Sequence, residues 1–187
     1  MHNNLPKFFY FINEFNKDHI RKLDKRIAII FRNYLTKYDK KLIEEIKIFC
    51  KSNKRKFFLS NNVRLAMNLG LDGVYLPSFY NKLNTNKLNK KKNFLIIGSA
   101  HTVKEILIKE KQGSEMIFLS PLFKTKKNKL FLDTVKFNLL TLKTKKKIIA
   151  LGGINKKNMQ KLKIVNIFGF AGISYFNKNF TINQWTQ

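Results

Sequence analysis

FFLSNNVRLAMNLGLDGVYLP, residues 57 to 77, spells out a strand, a helix and a second strand. FFLS is a short uninterrupted apolar run of the kind a strand buried on both faces needs, and GVYLP from Gly73 is another. Between them Val63, Ala66 and Leu69 recur at helical spacing and form one stripe that has to pack against a sheet. Gly70 stands where a helix commonly ends in a C′ glycine. Two buried strands joined by one helix run parallel, because the helix carries the chain back to the edge from which the first strand started.

Reading outward, the same alternation spans the chain. Apolar, β-branched or aromatic runs begin at Lys7 (KFFYFI), Arg26 (RIAIIFR), Lys56 (KFFLS), Gly73 (GVYLP), Asn93 (NFLIIG), Glu115 (EMIFLS), Lys147 (KIIALGG) and Ile167 (IFGFAGIS). Amphipathic stretches separate them. In KKLIEEIKIFCKSN, residues 40–53, Leu42, Ile43, Ile46, Phe49 and Cys50 share one helical face. TVKEILIKEKQG, residues 102–113, ends at Gly113 as a helix should. A further helix is expected to begin near Asn155. Eight parallel strands with eight short crossovers predict a closed (β/α)₈ TIM barrel, and 187 residues make it a minimal one beside the ~250 typical of that fold. An open doubly wound sheet is the rival, and it would show a Gly-rich turn after the first strand. None follows Ile12.

Composition narrows the class. The length suits a single domain, 1–187. The 44% hydrophobic content is that of a globular chain, and no apolar run reaches the ~18–20 residues of a membrane helix. MHNNLPKFFYFINEF lacks the pattern of a signal peptide, and Cys50 is the only cysteine, so no internal disulfide or thiolate metal cluster is available. A cytoplasmic location fits, and Cys50 reads as a core residue. The formal charge of +27 invites a nucleic-acid reading, but only Arg21, Arg26, Arg32, Arg55 and Arg64 among the 38 basic residues are arginine. Arginine is the preferred bidentate reader of phosphate and guanine, and the lysines are spread over nearly every polar segment, so the charge reads as compositional background that still attracts anionic substrates. Homo-oligomerisation is compatible with the sequence and undecided by it.

In a barrel of this kind the chemistry belongs to the carboxyl ends of the strands. That rule selects Arg32 and Tyr34 after strand 2, Ser60, Asn61 and Asn62 after strand 3, Tyr75 and Ser78 at strand 4, and Ser99 and His101 at strand 5. It adds residues 120–129 after strand 6, Gly152, Gly153 and Asn155 after strand 7, and Gly172 and Ser174 at strand 8. A double glycine lets the backbone approach an anion, and a helix opening near Asn155 would present unpaired N–H groups to it. His101 is a candidate general acid or base, and Ser99, two residues earlier, points to the same side of the strand.

Five motifs in order carry a resemblance. LSNNVRLAMNLGLDGVYLP, GSAHT (98–102), SPLFKTKKNK (120–129), IALGGI (149–154) and GFAGIS (169–174) are similar to successive segments of the thiamine-phosphate synthase and TenI-like thiazole tautomerase family. The resemblance covers about residues 57–176, and the N-terminal quarter matches in outline. It implies a phosphate cup made by Thr125, Lys127, Gly152, Gly153, Gly172 and Ser174, in which Thr125 matches the first Thr of the family loop, Lys127 takes the place of the second and Asn128 that of the family Lys. It also implies a proton-transfer role for His101, with Ser99 orienting a substrate amine or phosphate.

The chain departs from the family on the other substrate. The synthase branch couples hydroxymethylpyrimidine diphosphate to thiazole phosphate, releases pyrophosphate and uses Mg²⁺ held by two aspartates. Here Asn62 occupies the first of those positions, and the second falls near Phe79 and Tyr80, where no carboxylate stands. Mg²⁺ favours hard anionic oxygen donors. Any Mg²⁺ would therefore have to be held loosely or by substrate, and no protein metal site is expected. The family's QxRxK on strand 2 is reduced to Ile30, Arg32 and Tyr34, while Asp72 matches the family but lies at the stability end. The resemblance thus implies a transferase of thiamine biosynthesis, with Arg32, Asn61 and the loop lysines receiving the diphosphate. The alternatives are a tautomerase relying on His101 or a non-catalytic binder of thiamine or thiazole phosphates.

Overall fold

Each of the eight apolar runs forms a strand in the computed structural model, which describes residues 5–33, 38–83, 85, 91, 93–126 and 130–177. The strands are β1 (Phe8–Ile12), β2 (Ile27–Phe31), β3 (Phe57–Ser60), β4 (Gly73–Leu76), β5 (Leu95–Ala100), β6 (Met116–Leu119), β7 (Lys147–Leu151) and β8 (Gly169–Gly172). Every strand pairs in parallel with the next, and β1 pairs with β8 through Phe8↔Phe170 and Tyr10↔Gly172, so the sheet closes. The expected (β/α)₈ barrel is the observed one.

Side chains alternate across the barrel wall, as the pleat requires. Phe9, Phe11, Ile30, Phe58, Tyr75, Ile97 and Phe118 point inward with their smaller neighbours. Their rings meet edge-on, with centroids 4.8 Å apart for Phe9 and Phe118, 5.0 Å for Phe11 and Tyr75, and 5.5 Å for Tyr75 and Phe118. Such pairs add ~0.5–1.5 kcal/mol each beyond their buried area. The alternate residues pack outward against the helices α1 (Lys17–Lys22), α2 (Lys40–Ser52), α3 (Val63–Asn68), α4 (Val103–Lys111), α5 (Asp133–Thr141) and α6 (Ser174–Asn177). In α2 the predicted face buries Ile43, Ile46, Phe49 and Cys50, and burial pushes the Cys50 thiol up to about 12.

The end opposite the strand termini is held by two polar devices. Asp72 accepts from Lys56 Nζ at 2.7 Å and from the Phe57 amide at 3.0 Å, tying β3 to β4 at the stability end. Arg55, 4% exposed, donates to the carbonyls of Ile20 at 2.9 Å, Asp24 at 2.5 Å and Leu23, and so caps the carboxyl end of α1.

Residues 84, 86–90 and 92, in the stretch between β4 and β5 where a helical crossover is expected, lie outside the described residues. Two expectations need correction. The crossover between β7 and β8 is a 3₁₀ turn, Met159–Ile164, instead of a helix starting near Asn155. The reason is local: Asn155 and Asn158 fold the intervening chain into side-chain-closed turns, as Asn does readily. Ser174 does not belong to strand 8 but opens α6.

Candidate active site at the mouth of the barrel

Above the aromatic layer the inward positions turn polar. Ser60, Ser99 and Ser120 continue the inward-facing series of Phe58, Ile97 and Phe118, and all three are buried. Tyr38 donates to the Ser60 carbonyl at 2.6 Å. Ser99 is buried on β5, and His101, just past the end of that strand, is exposed at the rim.

The imidazole is oriented from one side. His101 Nδ1 lies 2.7 Å from the Ser120 carbonyl oxygen and 3.3 Å from Ser120 Oγ. A carbonyl only accepts, so the proton of a neutral ring sits on Nδ1, and Nε2 is left as the lone-pair nitrogen, the arrangement a general base needs. The backbone beneath it is fixed as well: the His101 amide donates to Glu105 Oε2 at 2.5 Å, while Thr102 caps α4 by accepting from the Glu105 amide at 3.3 Å.

On the facing side Arg32 leaves β2 with its guanidinium carbon 5.4 Å from the centre of the Phe11 ring and Nε 3.4 Å from Asn13 Oδ1. The cation is thus laid over the aromatic floor at the mouth. Asn61 takes a left-handed φ of 61°, a conformation Asn tolerates, and its amide donates to the Tyr75 carbonyl at 2.8 Å. Tyr34, also singled out at this rim, lies outside the described residues.

The strand 6 to 8 side is assembled by close backbone contact. The amides of Leu122 and Phe123 donate to the carbonyls of Leu151 and Gly152 at 2.9 and 3.1 Å, so the loop after β6 lies directly on the double glycine. A side chain at Gly153 would place its Cβ 2.4 Å from the Phe123 oxygen and 2.6 Å from that of Lys124, and one at Gly152 would lie 2.7 Å from Pro121 Cβ. Thr125, half-buried, is the next residue of that loop. The glycines make room for the loop that carries Thr125. Lys127 and Asn128 lie outside the described residues.

One member of the predicted cup, and the turn beside it, are placed differently from the expectation. Gly172 faces outward, its missing Cβ lying 2.9 Å from Tyr175 Cβ beneath α6. At the start of the β7–β8 crossover the amides of Asn155 and Lys157 are already taken, by Asn158 Oδ1 and Asn155 Oδ1 at 2.9 Å each, and both Asn amide groups donate back to the Gly153 carbonyl. Asn155 therefore organises a turn, and its amide does not await an anion. Exposed Lys124, Lys126, Lys156 and Lys157 surround this side and supply its positive field.

At the position of the family's first Mg²⁺ aspartate, the residue present does not fit the metal. Asn62 Oδ1 accepts from the Leu65 amide at 3.0 Å as the N-cap of α3, so it is spent on the helix. Among the described residues no three His, Cys, Asp or Glu side chains come together as metal ligands.

These features define a class: a parallel (β/α)₈ barrel with a basic, polar mouth suited to phosphorylated small molecules. The thiamine monophosphate synthase family model matches residues 24–176, and the chain belongs to that family. A thiamine-phosphate synthase of Prochlorococcus marinus is 34% identical over 133 residues, 70% of this chain and 38% of that protein. A putative thiamine-phosphate synthase of Aquifex aeolicus is 31% identical over 143 residues, 73% of this chain and 74% of that one. The structure of a thiamine phosphate pyrophosphorylase from Pyrococcus furiosus superposes with a TM-score of 0.72 at 22% identity, covering 92% of this chain and 87% of the other. No helix of the described residues is long and apolar enough to cross a membrane.

The sequence reading missed Lys109, fully buried on the inner face of α4, and Gln112, fully buried at its C-cap. Their spacing from buried Ile106 carried the signal, since i, i+3 and i+6 share a helical stripe.

Proposed function

We propose that this chain joins hydroxymethylpyrimidine diphosphate to thiazole phosphate with release of pyrophosphate, acting in the cytoplasm as a single domain. The observation that carries the reading is the family match over residues 24–176, which contains the whole mouth from Arg32 to Ser174. Thr125, Lys127, Gly152, Gly153, Gly172 and Ser174 hold the thiazole phosphate. Gly153 and Gly172 contribute through the backbone, and Thr125 and Ser174 through hydroxyls. Departure of diphosphate concentrates negative charge, which preorganised cations and amide donors stabilise in place of water. Arg32, Asn61 and the lysines after β6 take that role, while Ser99 and His101 orient the second substrate.

Thiazole tautomerisation is a second reading, favoured by the one-sided anchoring of His101, which leaves Nε2 as a base. Incubation with both substrates, with and without Mg²⁺, tests the pair. Formation of thiamine phosphate supports coupling. Its absence, with proton exchange on the thiazole alone, transfers the assignment to the second reading.

A further inference from the structure

Lys109 is fully buried on α4, and its ammonium is held by backbone carbonyls. Its ammonium donates to the Pro77 carbonyl at 2.7 Å and the Tyr80 carbonyl at 2.8 Å. Those two residues bound a turn closed by the Tyr80 amide on the Pro77 carbonyl at 3.0 Å. Gln112 Nε2 adds bonds to the Tyr80 and Lys82 carbonyls at 2.7 and 3.1 Å, and Thr85 Oγ1 returns one to the Gln112 carbonyl at 2.9 Å. The Pro77, Tyr80 and Lys82 carbonyls thus take donors from α4 and its C-cap.

The clamp is built into the strand beside it. A Cβ at Gly98 would lie 2.7 Å from Lys109 Cδ and 2.9 Å from Ser114 Oγ, so the glycine of GSAHT leaves the channel through which the lysine stem reaches the turn. Leu76, the last residue of β4, pairs with Gly98, and the turn therefore leaves the mouth alongside Ser99. Its centre is Ser78 and Phe79, and Phe79 is 61% exposed. Burial pushes the ammonium down to about 8, against a smaller upward pull from Glu105.

We propose that Lys109 is a positioning residue: by gripping both ends of the 77–80 turn it sets the pyrimidine-diphosphate side of the mouth. This rests on the coupling reading, in which the turn occupies the place of the missing second carboxylate.

The test compares Lys109→Met, which keeps the stem, with Lys109→Gln, which keeps a donor. Amide exchange of residues 78–82 is followed together with steady-state coupling. Loss of the ammonium should speed exchange there about tenfold and leave β4 and β5 protected. KM for the pyrimidine diphosphate should rise about tenfold, with KM for thiazole phosphate and kcat within about twofold, and Lys109→Gln should recover part of the loss. Unchanged exchange in Lys109→Met, or equal effects on both substrates, overturns the proposal. If Lys109→Met does not fold, Gln112→Met removes the other two donated bonds and is judged by the same outcomes. If the wild type shows no coupling, the functional reading fails, and the clamp is judged by exchange together with the affinity of the wild type and Lys109→Met for inorganic pyrophosphate. A loss of about fivefold or more supports it, and equal affinity overturns it.

Discussion

Replacing Gly153 with alanine separates two costs that usually arrive together. Gly153 has φ of 71°, where an L side chain costs ~1–2 kcal/mol. Its added methyl would also lie 2.4 and 2.6 Å from the carbonyl oxygens of Phe123 and Lys124, which are backbone atoms and move only with the whole loop. Overpacking of that kind costs a further ~1–3 kcal/mol. The sum is ~3 kcal/mol, which for a chain of this size lowers Tm by ~6–12 °C. Gly70 supplies the control. Its φ of 60° carries the same conformational cost, but the atoms nearest an added methyl are the mobile ammonium groups of Lys91 and Lys47 at 3.6 and 3.9 Å. Gly70→Ala should therefore lose only ~1–2 kcal/mol. Thermal and urea denaturation of both variants measure the difference, and Gly153→Ala should also weaken thiazole phosphate binding by displacing Thr125. Equal losses at the two positions would refute the claim that the glycine pair exists to seat the loop after β6.

His101→Ala should lower kcat ~10²–10⁴-fold for whichever reaction uses Nε2, measured as turnover at saturating substrate, and an unchanged rate removes the base assignment. Asn62→Ala should cost ~1 kcal/mol through loss of the α3 cap, whereas Asn62→Asp, an equally good cap, should stay within ~0.5 kcal/mol in urea unfolding. Stability should depend on pH with two opposed slopes. Lys109, held at about 8 in the fold against an ordinary 10.5, contributes stability that is present above 10.5 and lost as pH falls through 8. Cys50, held near 12 against 9.0, contributes stability that is full below 9.0 and lost as pH rises toward 12. Denaturation from pH 7 to 10.5 should lose the rising component in Lys109→Met and the falling component in Cys50→Ala.

The barrel was legible in the sequence because strands buried on both faces leave uninterrupted apolar runs, and all eight runs are strands. Gly70 and Gly113 marked the ends of α3 and α4 for a similarly local reason. The rim positions followed from the rule that strand termini carry the chemistry, and the roles given to them from the motif resemblance. What depends on contacts between distant segments stayed hidden. Nothing near Gly152 and Gly153 announces that the chain at 121–124 will lie on them. Asn155 and Asn158 look like solvated loop residues until their side chains are seen closing the turn. Lys109 is the plainest case, since a lysine in an amphipathic helix is normally a surface residue, and its burial is set by carbonyls about thirty residues earlier in the chain.

Closure of the ring joins residues 8–10 to residues 170–172. During synthesis the first strand emerges long before its second partner exists, so the nascent chain carries an unpaired, aromatic-rich edge until the C-terminal segment leaves the ribosome. Such edges template pairing with other chains. Truncation before β8 should therefore yield insoluble material instead of a smaller folded protein, and the high lysine content gains a second use in keeping unfinished chains apart by mutual repulsion.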